Sequence, residues 1–141
     1  MEDRALAQHY EVLSTLGFGS FGTVYRARQI RTGQLVAVKV LHPAALENTK
    51  MQRVARFRRE MSICARLHHP NIVRFIDSGV YESGDPYAVF EFLPGKSLDQ
   101  VLTEQGPLVP AEARHLMLQV LDGLACAHEQ ASSTATSSRA T

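Results

Sequence analysis

Three glycines near the start of the chain have the spacing of loops that bind phosphate groups. They are Gly17, Gly19 and Gly22, in the stretch LGFGSFGTV. Because glycine has no Cβ, such a loop lets backbone N–H groups come close to phosphate oxygens. The spacing alone is weak support, since glycine in a hairpin turn usually serves only to supply a positive φ. The residues around the glycines must therefore decide whether this is a nucleotide site.

A lysine in an apolar strand supplies a second group that could bind phosphate. Lys39 ends the stretch VAVK and has valine or alanine at each neighbouring position of 36–40. This setting argues against a solvated strand lysine, and an ammonium group is a point charge suited to phosphate oxygens. A dinucleotide site of the Rossmann type needs a helix directly after the glycines and an acidic residue near the end of the next strand. Here a strand follows the glycines, and the next strand has Lys39 rather than an acidic residue near its end, so that interpretation is excluded.

An acidic residue on the helix after Lys39 could act together with it. Glu60 lies in the stretch FRREM and shares a helical face with Phe57, Met61 and Cys64. Because residues three and four apart lie on one side of a helix, this spacing predicts that Glu60 points inward. Glu47 belongs to the same segment but precedes the regular apolar pattern.

The elements that must position these groups follow from hydrophobic periodicity. Thr23 to Ile30 alternates along a strand, and Arg31-Thr32-Gly33 indicates a tight turn, so the first three strands form an antiparallel meander. The predicted elements are strands over 10–16, 23–30 and 35–41, a helix over 43–67, strands over 72–80 and 87–92, a short helix beginning near Ser97, and a helix over 110–129. This order predicts an α+β fold.

The combination of these motifs resembles the small lobe of a eukaryotic-type protein kinase. It consists of G-x-G-x-x-G-x-V, then VAVK at 36–39, then a helix that carries Glu60. The likeness continues through LHHPNIV and FEFLPGKSL into LDGLACAHEQ, and these later stretches are most similar to bacterial serine/threonine kinases. It implies a five-stranded antiparallel sheet with one long helix, followed by two helices from the start of the large lobe.

The resemblance also divides the chain. It implies an N-terminal extension over 1–9, the small lobe that covers ATP over 10–93, the hinge exit and first large-lobe helices over 94–130, and a low-complexity, disordered tail over 131–141.

The resemblance further implies an ATP site with a named role for each residue. Lys39 would bind the α- and β-phosphates, and Glu60 would hold it in an ion pair. The glycine loop, consisting of Gly17, Gly19, Ser20, Phe21 and Gly22, would cover the phosphates, with Phe21 shielding them from water. Leu16, Val24 and Ala37 would form the upper wall for adenine, Phe90 would be the gatekeeper behind it, and backbone groups of Glu91 and Leu93 would bind it. Phe90 is equally well described as a core residue. Ser97 is a helix cap or a ribose contact.

Groups needed for phosphoryl transfer in this family are missing from the sequence. It contains no HRD, DFG or APE motif, so we expect weak ATP binding, magnesium only with the nucleotide, no protein ligand for a metal, and no activity from this chain alone. The chain would then be part of a serine/threonine kinase acting on a protein substrate that the sequence does not identify. The alternative is a noncatalytic kinase-like binding module that acts as a decoy or scaffold.

Composition sets limits on partners and location. The 141 residues include 15 basic and 14 acidic ones, a balance that does not favour a nucleic-acid or membrane-surface partner. No apolar run is long enough to span a bilayer, and MEDRALAQHY is not a signal peptide. With Cys64 and Cys126 interpreted as buried thiols, we expect a cytoplasmic protein. An apolar stripe containing Leu116, Val120 and Leu124 predicts self-association.

The last eleven residues, ASSTATSSRAT, raise a different possibility. Kinases of this family would have a catalytic loop such as GIVHRDLKPGN after Gln130. Loss of one base from a GC-rich coding sequence for that loop gives Ala131 to Thr141 without a mismatch. A continuation as Asn-Val-Met would then give a stop codon after Thr141. We therefore expect the tail to be a catalytic loop translated out of frame; the alternative is an ordinary disordered Ser/Thr-rich terminus.

Overall fold

The predicted strands form a five-stranded antiparallel sheet, as the family resemblance implied. The computed structural model describes residues 4–19, 22–41, 50–81 and 83–139. Its elements are α1 (Arg4–Ala7), β1 (Tyr10–Gly19), β2 (Gly22–Gln29), β3 (Leu35–Leu41), α2 (Lys50–Cys64), β4 (Phe75–Val80), β5 (Pro86–Glu91), α3 (Leu98–Gln105) and α4 (Pro110–Arg139). The strand order in the sheet is β1-β2-β3-β5-β4, so β5 lies between β3 and β4.

The chain forms two units. The first contains Met1–Arg66 and Arg74–Phe92, which include the sheet, α1 and α2. The second contains Leu67–Val73 and Leu93–Thr141, which include α3 and α4.

The core of the first unit lies on one face of the sheet. Val36, Val38 and Val89 are fully buried there, because alternate residues of a strand project to the same side. Leu6 of α1 and Tyr10 pack into the same cluster and are 4% and 3% exposed. The segment expected to be an N-terminal extension therefore contributes to the core, because this sheet face needs an apolar cover.

The ends of α2 and β4 differ from the sequence prediction. Helix α2 ends at Cys64, after which Arg66 donates to the Ile63 carbonyl in a tighter turn, and the predicted start at Pro43 lies outside the described residues. Strand β4 begins at Phe75 rather than Ile72, since the Ile72 N–H closes a turn onto the His69 carbonyl.

The segment before β4 packs instead on α4 within the second unit. The side-chain amide of Asn71 donates to the Gln119 carbonyl over 2.9 Å. A Cβ on the buried Gly123 would lie 3.3 Å from Ile72 Cγ1, so glycine lets the segment approach the helix closely. This contact removes Asn71 and Ile72 from the sheet.

Capping residues set the bounds of the two helices in the second unit. Ser97 caps α3 in a reciprocal capping box with Gln100, so the structure shows the first of the two roles left open for Ser97, and Gly106 ends the helix at φ 79°. Helix α4 begins at Pro110 as predicted but continues to Arg139, beyond the expected end at Glu129. The backbone of 131–139 is thus helical where a disordered tail was expected. That stretch has alanines and no glycine or proline to interrupt the helix.

None of the helices in the described part of the chain is both long and apolar enough to cross a bilayer.

Candidate nucleotide site

The glycine-rich stretch is the end of a β-hairpin. Strand β1 was expected to stop at Leu16, but it continues to Gly19, where Gly19 pairs with Gly22. The register shifts between Thr15 and Gly17, and such irregularities bend a strand and increase its twist. Ser20 and Phe21, the predicted tip of the loop, lie outside the described residues.

Two of the glycines have different surroundings. A Cβ on Gly22 would overlap the carbonyl oxygen of Val40 and lie 3.2 Å from the Cα of Leu41, so β2 passes β3 too closely for a side chain. A Cβ on Gly17 would meet no heavy atom within 4 Å. Gly22 is therefore required by packing within the sheet, whereas the space beside Gly17 is open.

Three of the predicted ATP-site residues, Gly17, Val24 and Lys39, share one face of the sheet. Val24 pairs with Gly17 on one side and with Lys39 on the other, and Lys39 pairs in turn with Ala88. Directly paired residues of antiparallel strands project to the same side. Because Lys39 alternates with the buried Val38, this face is opposite to the valine core. Lys39 itself is partly buried.

The next row of the same face contains the predicted gatekeeper. Ala37 pairs with Phe90, and Phe90 pairs with Phe75 of β4. The rings of Phe75 and Phe90 meet edge to face, with centroids 5.8 Å apart and planes at 72°. This arrangement is favourable for aromatic pairs and holds the Phe90 ring in place. Leu16, the remaining predicted wall residue, is about half exposed on β1.

At the end of β5, the backbone N–H of Glu91 already donates a hydrogen bond within the sheet unit. The Glu91 N–H donates to the Arg74 carbonyl over 2.9 Å, and the Glu91 carboxylate accepts from the Arg74 N–H over 2.9 Å. These two bonds fix the strand end at Glu91. Leu93 follows at the start of the second unit and is 60% exposed.

Glu60 does not point inward as its spacing predicted. Its side chain is 56% exposed, and its carboxylate lies 3.5 Å from Nε of Arg56, one helical turn earlier. Among the described residues the structure therefore pairs Glu60 with Arg56, and it contains no ion pair between Glu60 and Lys39. An arginine at this spacing on an exposed helix surface is a ready partner for a carboxylate.

Cys64 lies one turn beyond Glu60, and the Glu60 charge affects the pKa of its thiol. Burial raises the pKa of the Cys64 thiol, and the negative charge of Glu60 raises it further. The thiol of Cys64 is thus held in its neutral form, consistent with its expected structural role.

A contact that joins α2 to the turn between β4 and β5 was not predicted from the sequence. Nη2 of Arg53 donates to Oδ1 of Asp85, in the turn between β4 and β5, over 3.3 Å. The two side chains are only 14% and 33% exposed. The spacing of Arg53 from Phe57 and Glu60 was visible in the sequence, but its partner is 32 residues away.

Within the described ranges, no group of three or more histidine, cysteine, aspartate or glutamate side chains is placed to hold a metal ion.

A five-stranded sheet with a glycine hairpin, a partly buried lysine on its third strand and a helix beside it defines the small lobe of a protein kinase. Residues 10–132 match the protein kinase domain family, so the chain belongs to that family. Among solved structures, it is similar to the PknI kinase domain of Mycobacterium tuberculosis. That match has a TM-score of 0.74 and 29% identity, and covers 86% of this chain and 48% of the other.

Curated relatives of the chain include bacterial serine/threonine-protein kinases. The chain is 35% identical over 125 residues to pkn3 and 41% identical over 122 residues to pkn2, both of Myxococcus xanthus. It is 35% identical over 126 residues to PrkC of Bacillus subtilis. These matches cover 86% to 89% of this chain but only 14% to 22% of the relatives. The chain therefore spans less than a quarter of the length of these proteins.

Proposed function

We propose that this chain binds ATP as the nucleotide-covering part of a serine/threonine protein kinase. The observation that carries the proposal is the cross-strand row of Gly17, Val24 and Lys39, with open space beside the glycine. Open space where a Cβ would stand lets backbone N–H groups approach phosphate oxygens. Lys39 lies on the same face and supplies the positive charge that phosphates require.

The adenine ring would lie against the apolar residues of the same face. Val24 and Ala37, together with Leu16, would form its upper wall, and Phe90 would close the site behind it. Because the Glu91 N–H already donates to Arg74, Glu91 would contribute its carbonyl as an acceptor for the amino group of adenine.

Glu60 would change partners when the nucleotide binds. Its present pair with Arg56 is solvent-exposed, and pairs of this kind contribute little to stability. When the nucleotide holds Lys39 in place, the Lys39 ammonium group would be a second positive partner for the Glu60 carboxylate. The Lys39–Glu60 ion pair then belongs to the nucleotide-bound state, where the kinase family requires it.

We expect binding to be weak and the chain to be catalytically inactive by itself. The sequence lacks the HRD and DFG motifs that orient the substrate hydroxyl and hold magnesium in this family. Magnesium would enter only with the nucleotide. A site built from the glycine hairpin, Lys39 and the adenine wall should bind ATP at high-micromolar to millimolar concentration, a free energy of roughly −4 to −6 kcal/mol.

Titration of the ¹⁵N-labelled chain with Mg-ATP tests the proposal. Wild type should show saturable shifts at Gly17, Val24 and Lys39, and Lys39→Met should weaken binding by about tenfold. Arg28→Met is the matched control, because Arg28 lies on the same sheet two rows away, and it should bind like wild type. Equal affinity of Lys39→Met and wild type, or shifts confined to α3 and α4, would overturn the proposal.

A further inference from the structure

We propose that Arg53 is a positioning residue: its ion pair with Asp85 fixes the rotation of α2 and so sets the position from which the Glu60 side chain, paired with Arg56 in this structure, would turn to Lys39. This inference depends on the proposed ATP site for its functional part. The Arg53–Asp85 ion pair itself is observed in the structure and stands apart from that proposal.

The turn between β4 and β5 is built to present the Asp85 carboxylate. The Tyr81 N–H donates to the Asp85 carbonyl over 2.9 Å, and the Gly84 N–H donates to the Tyr81 carbonyl over 2.8 Å, with Gly84 at φ 89°. The Ser83 hydroxyl donates to Oδ2 of Asp85 over 3.3 Å, while Oδ1 accepts from Arg53. Each carboxylate oxygen thus has its own donor.

Arg53 and Glu60 lie on one side of α2. They are seven residues apart, with Phe57 between them at the spacing of a helix face. Phe57 is 4% exposed, so the helix is held against the rest of the first unit at two adjacent turns, by an apolar contact and by an ion pair. Glu60 lies about one turn beyond Phe57.

The two contacts constrain the helix in different ways. An apolar side chain such as Phe57 tolerates rotation about the helix axis, because dispersion contacts are not directional. The Arg53–Asp85 hydrogen bond is directional and ends on a turn that is fixed by the sheet. Because the side chains of a helix extend well away from its axis, rotation of α2 would carry the Glu60 carboxylate with it.

The Arg53–Asp85 ion pair should be screened by salt less than the exposed ion pairs of the chain. Its side chains are much less exposed than those of the Arg56–Glu60 pair, at 72% and 56%, or the Arg28–Glu11 pair, at 50% and 61%. Exposed pairs are screened and contribute little, whereas removing one partner of a partly buried pair leaves a desolvated charge. Loss of Asp85 should therefore loosen α2 while the exposed pairs have no such effect.

Amide hydrogen exchange of the full chain tests the anchor directly. Asp85→Asn and Arg53→Met should each speed exchange in the second half of α2 by at least about tenfold, while amides of Val36 and Val38 stay protected. Glu11→Gln is the control, since it removes an exposed ion pair of the same sheet, and it should leave α2 unchanged. The charge-reversed double variant Arg53→Asp with Asp85→Arg should restore part of the protection. Unchanged α2 exchange in both single variants would overturn the anchor.

Nucleotide titration then tests the positioning role. Asp85→Asn should raise the ATP dissociation constant about threefold to tenfold although Asp85 lies outside the proposed site, and the double variant should recover part of the loss. Faster α2 exchange with unchanged ATP affinity would overturn positioning. Failure of Lys39→Met to affect binding would instead overturn the proposed function. If a single variant unfolds the domain, Arg53→Lys, which keeps the positive charge, is used in its place. Protection of the α2 amides equal to that of wild type would support a charge contact with Asp85. A loss of protection as large as in Arg53→Met would contradict it.

Discussion

Gly22 on β2 lies so close to the Val40 carbonyl on β3 that a Cβ at position 22 would overlap the carbonyl oxygen. The third glycine of the G-x-G-x-x-G pattern therefore serves the sheet itself. Its neighbour on the same hairpin, Gly17, has nothing within 4 Å of an added Cβ. One sequence pattern thus contains glycines in two different surroundings.

Gly22→Ala should destabilise the first unit. The methyl group meets backbone atoms of β3, which cannot move without breaking their pairing to β2, and such overpacking costs at least about 2 kcal/mol. Urea denaturation followed by circular dichroism measures the loss. Wild-type stability in this variant would contradict the close approach of the two strands.

Gly17→Ala should leave stability unchanged and weaken ATP binding. We expect its free energy of unfolding to lie within about 0.5 kcal/mol of wild type, because the methyl group enters open space. That space is where we propose that phosphate oxygens approach, so ATP affinity should fall. The same denaturation experiment with a parallel ATP titration separates the two effects. A stable variant with undiminished ATP affinity would show that Gly17 does not border the phosphates.

Local pattern was sufficient to predict much of this fold. Alternation in residues 23–30 and the apolar run over 35–41 located β2 and β3, and the position of Lys39 in that apolar strand placed it on the sheet beside the glycine hairpin. Ser97 and Pro110 marked helix starts correctly because capping depends on residues close in sequence.

Features set by distant partners could not be predicted in this way. Periodicity showed which residues share a face with Glu60, but the orientation of that face depends on contacts such as Arg53 with Asp85. The burial of Leu6 was missed because a helix of four residues is too short to show a period. The displaced start of β4 results from Asn71 binding α4, a contact across 48 residues.

Stability should fall at alkaline pH because of Tyr10. Burial raises the pKa of its phenol above 10.0, and the charge of Asp77 and the neighbouring Tyr87 raise it further. The folded state therefore binds this proton more tightly than the unfolded state. The contribution is complete below pH 10.0 and is lost as the pH rises towards the folded pKa, with a slope of up to about 1.4 kcal/mol per pH unit.

Tyr10→Phe tests the assignment, since it keeps the ring in the core and removes the titrating group. Unfolding free energies measured between pH 9 and 11 should fall less steeply than in wild type. Asp77→Asn should reduce the slope by a smaller amount, because it removes only the second cause of the shift. An identical alkaline slope in Tyr10→Phe would mean that another group controls the transition.

The DNA that encodes residues 131–141 should contain a kinase catalytic loop in a neighbouring frame. GC-rich codons for GIVHRDLKPGN become codons for Ala131 to Thr141 when a single base is lost. Reading the gene from the last base of codon 130 should therefore give His-Arg-Asp-Leu-Lys-Pro within the first nine codons. Sequencing the locus from independent genomic DNA measures this. If the bases encode no such motif in that frame, the frameshift hypothesis is wrong and the tail is an ordinary Ser/Thr-rich segment.

Helix α4 should cause the chain to self-associate. Its exposed apolar side chains are Met117, Leu118, Val120, Leu121 and Leu124, each between 42% and 54% exposed. A groove of about 570 Å³ between α3 and α4, lined by Leu98, Val101 and Leu116 among others, adds to this surface. Apolar patches of this extent promote association in water.

Sedimentation velocity over a range of protein concentrations measures this association. Wild type should shift to larger species as the concentration rises, and the combined variant Val120→Gln, Leu121→Gln, Leu124→Gln should remain monomeric. Leu102→Gln on α3 is the control, because Leu102 is 40% exposed but lies off the α4 surface. A monomeric wild type at high concentration, with no binding of a hydrophobic dye, would contradict an unpartnered apolar surface on α4.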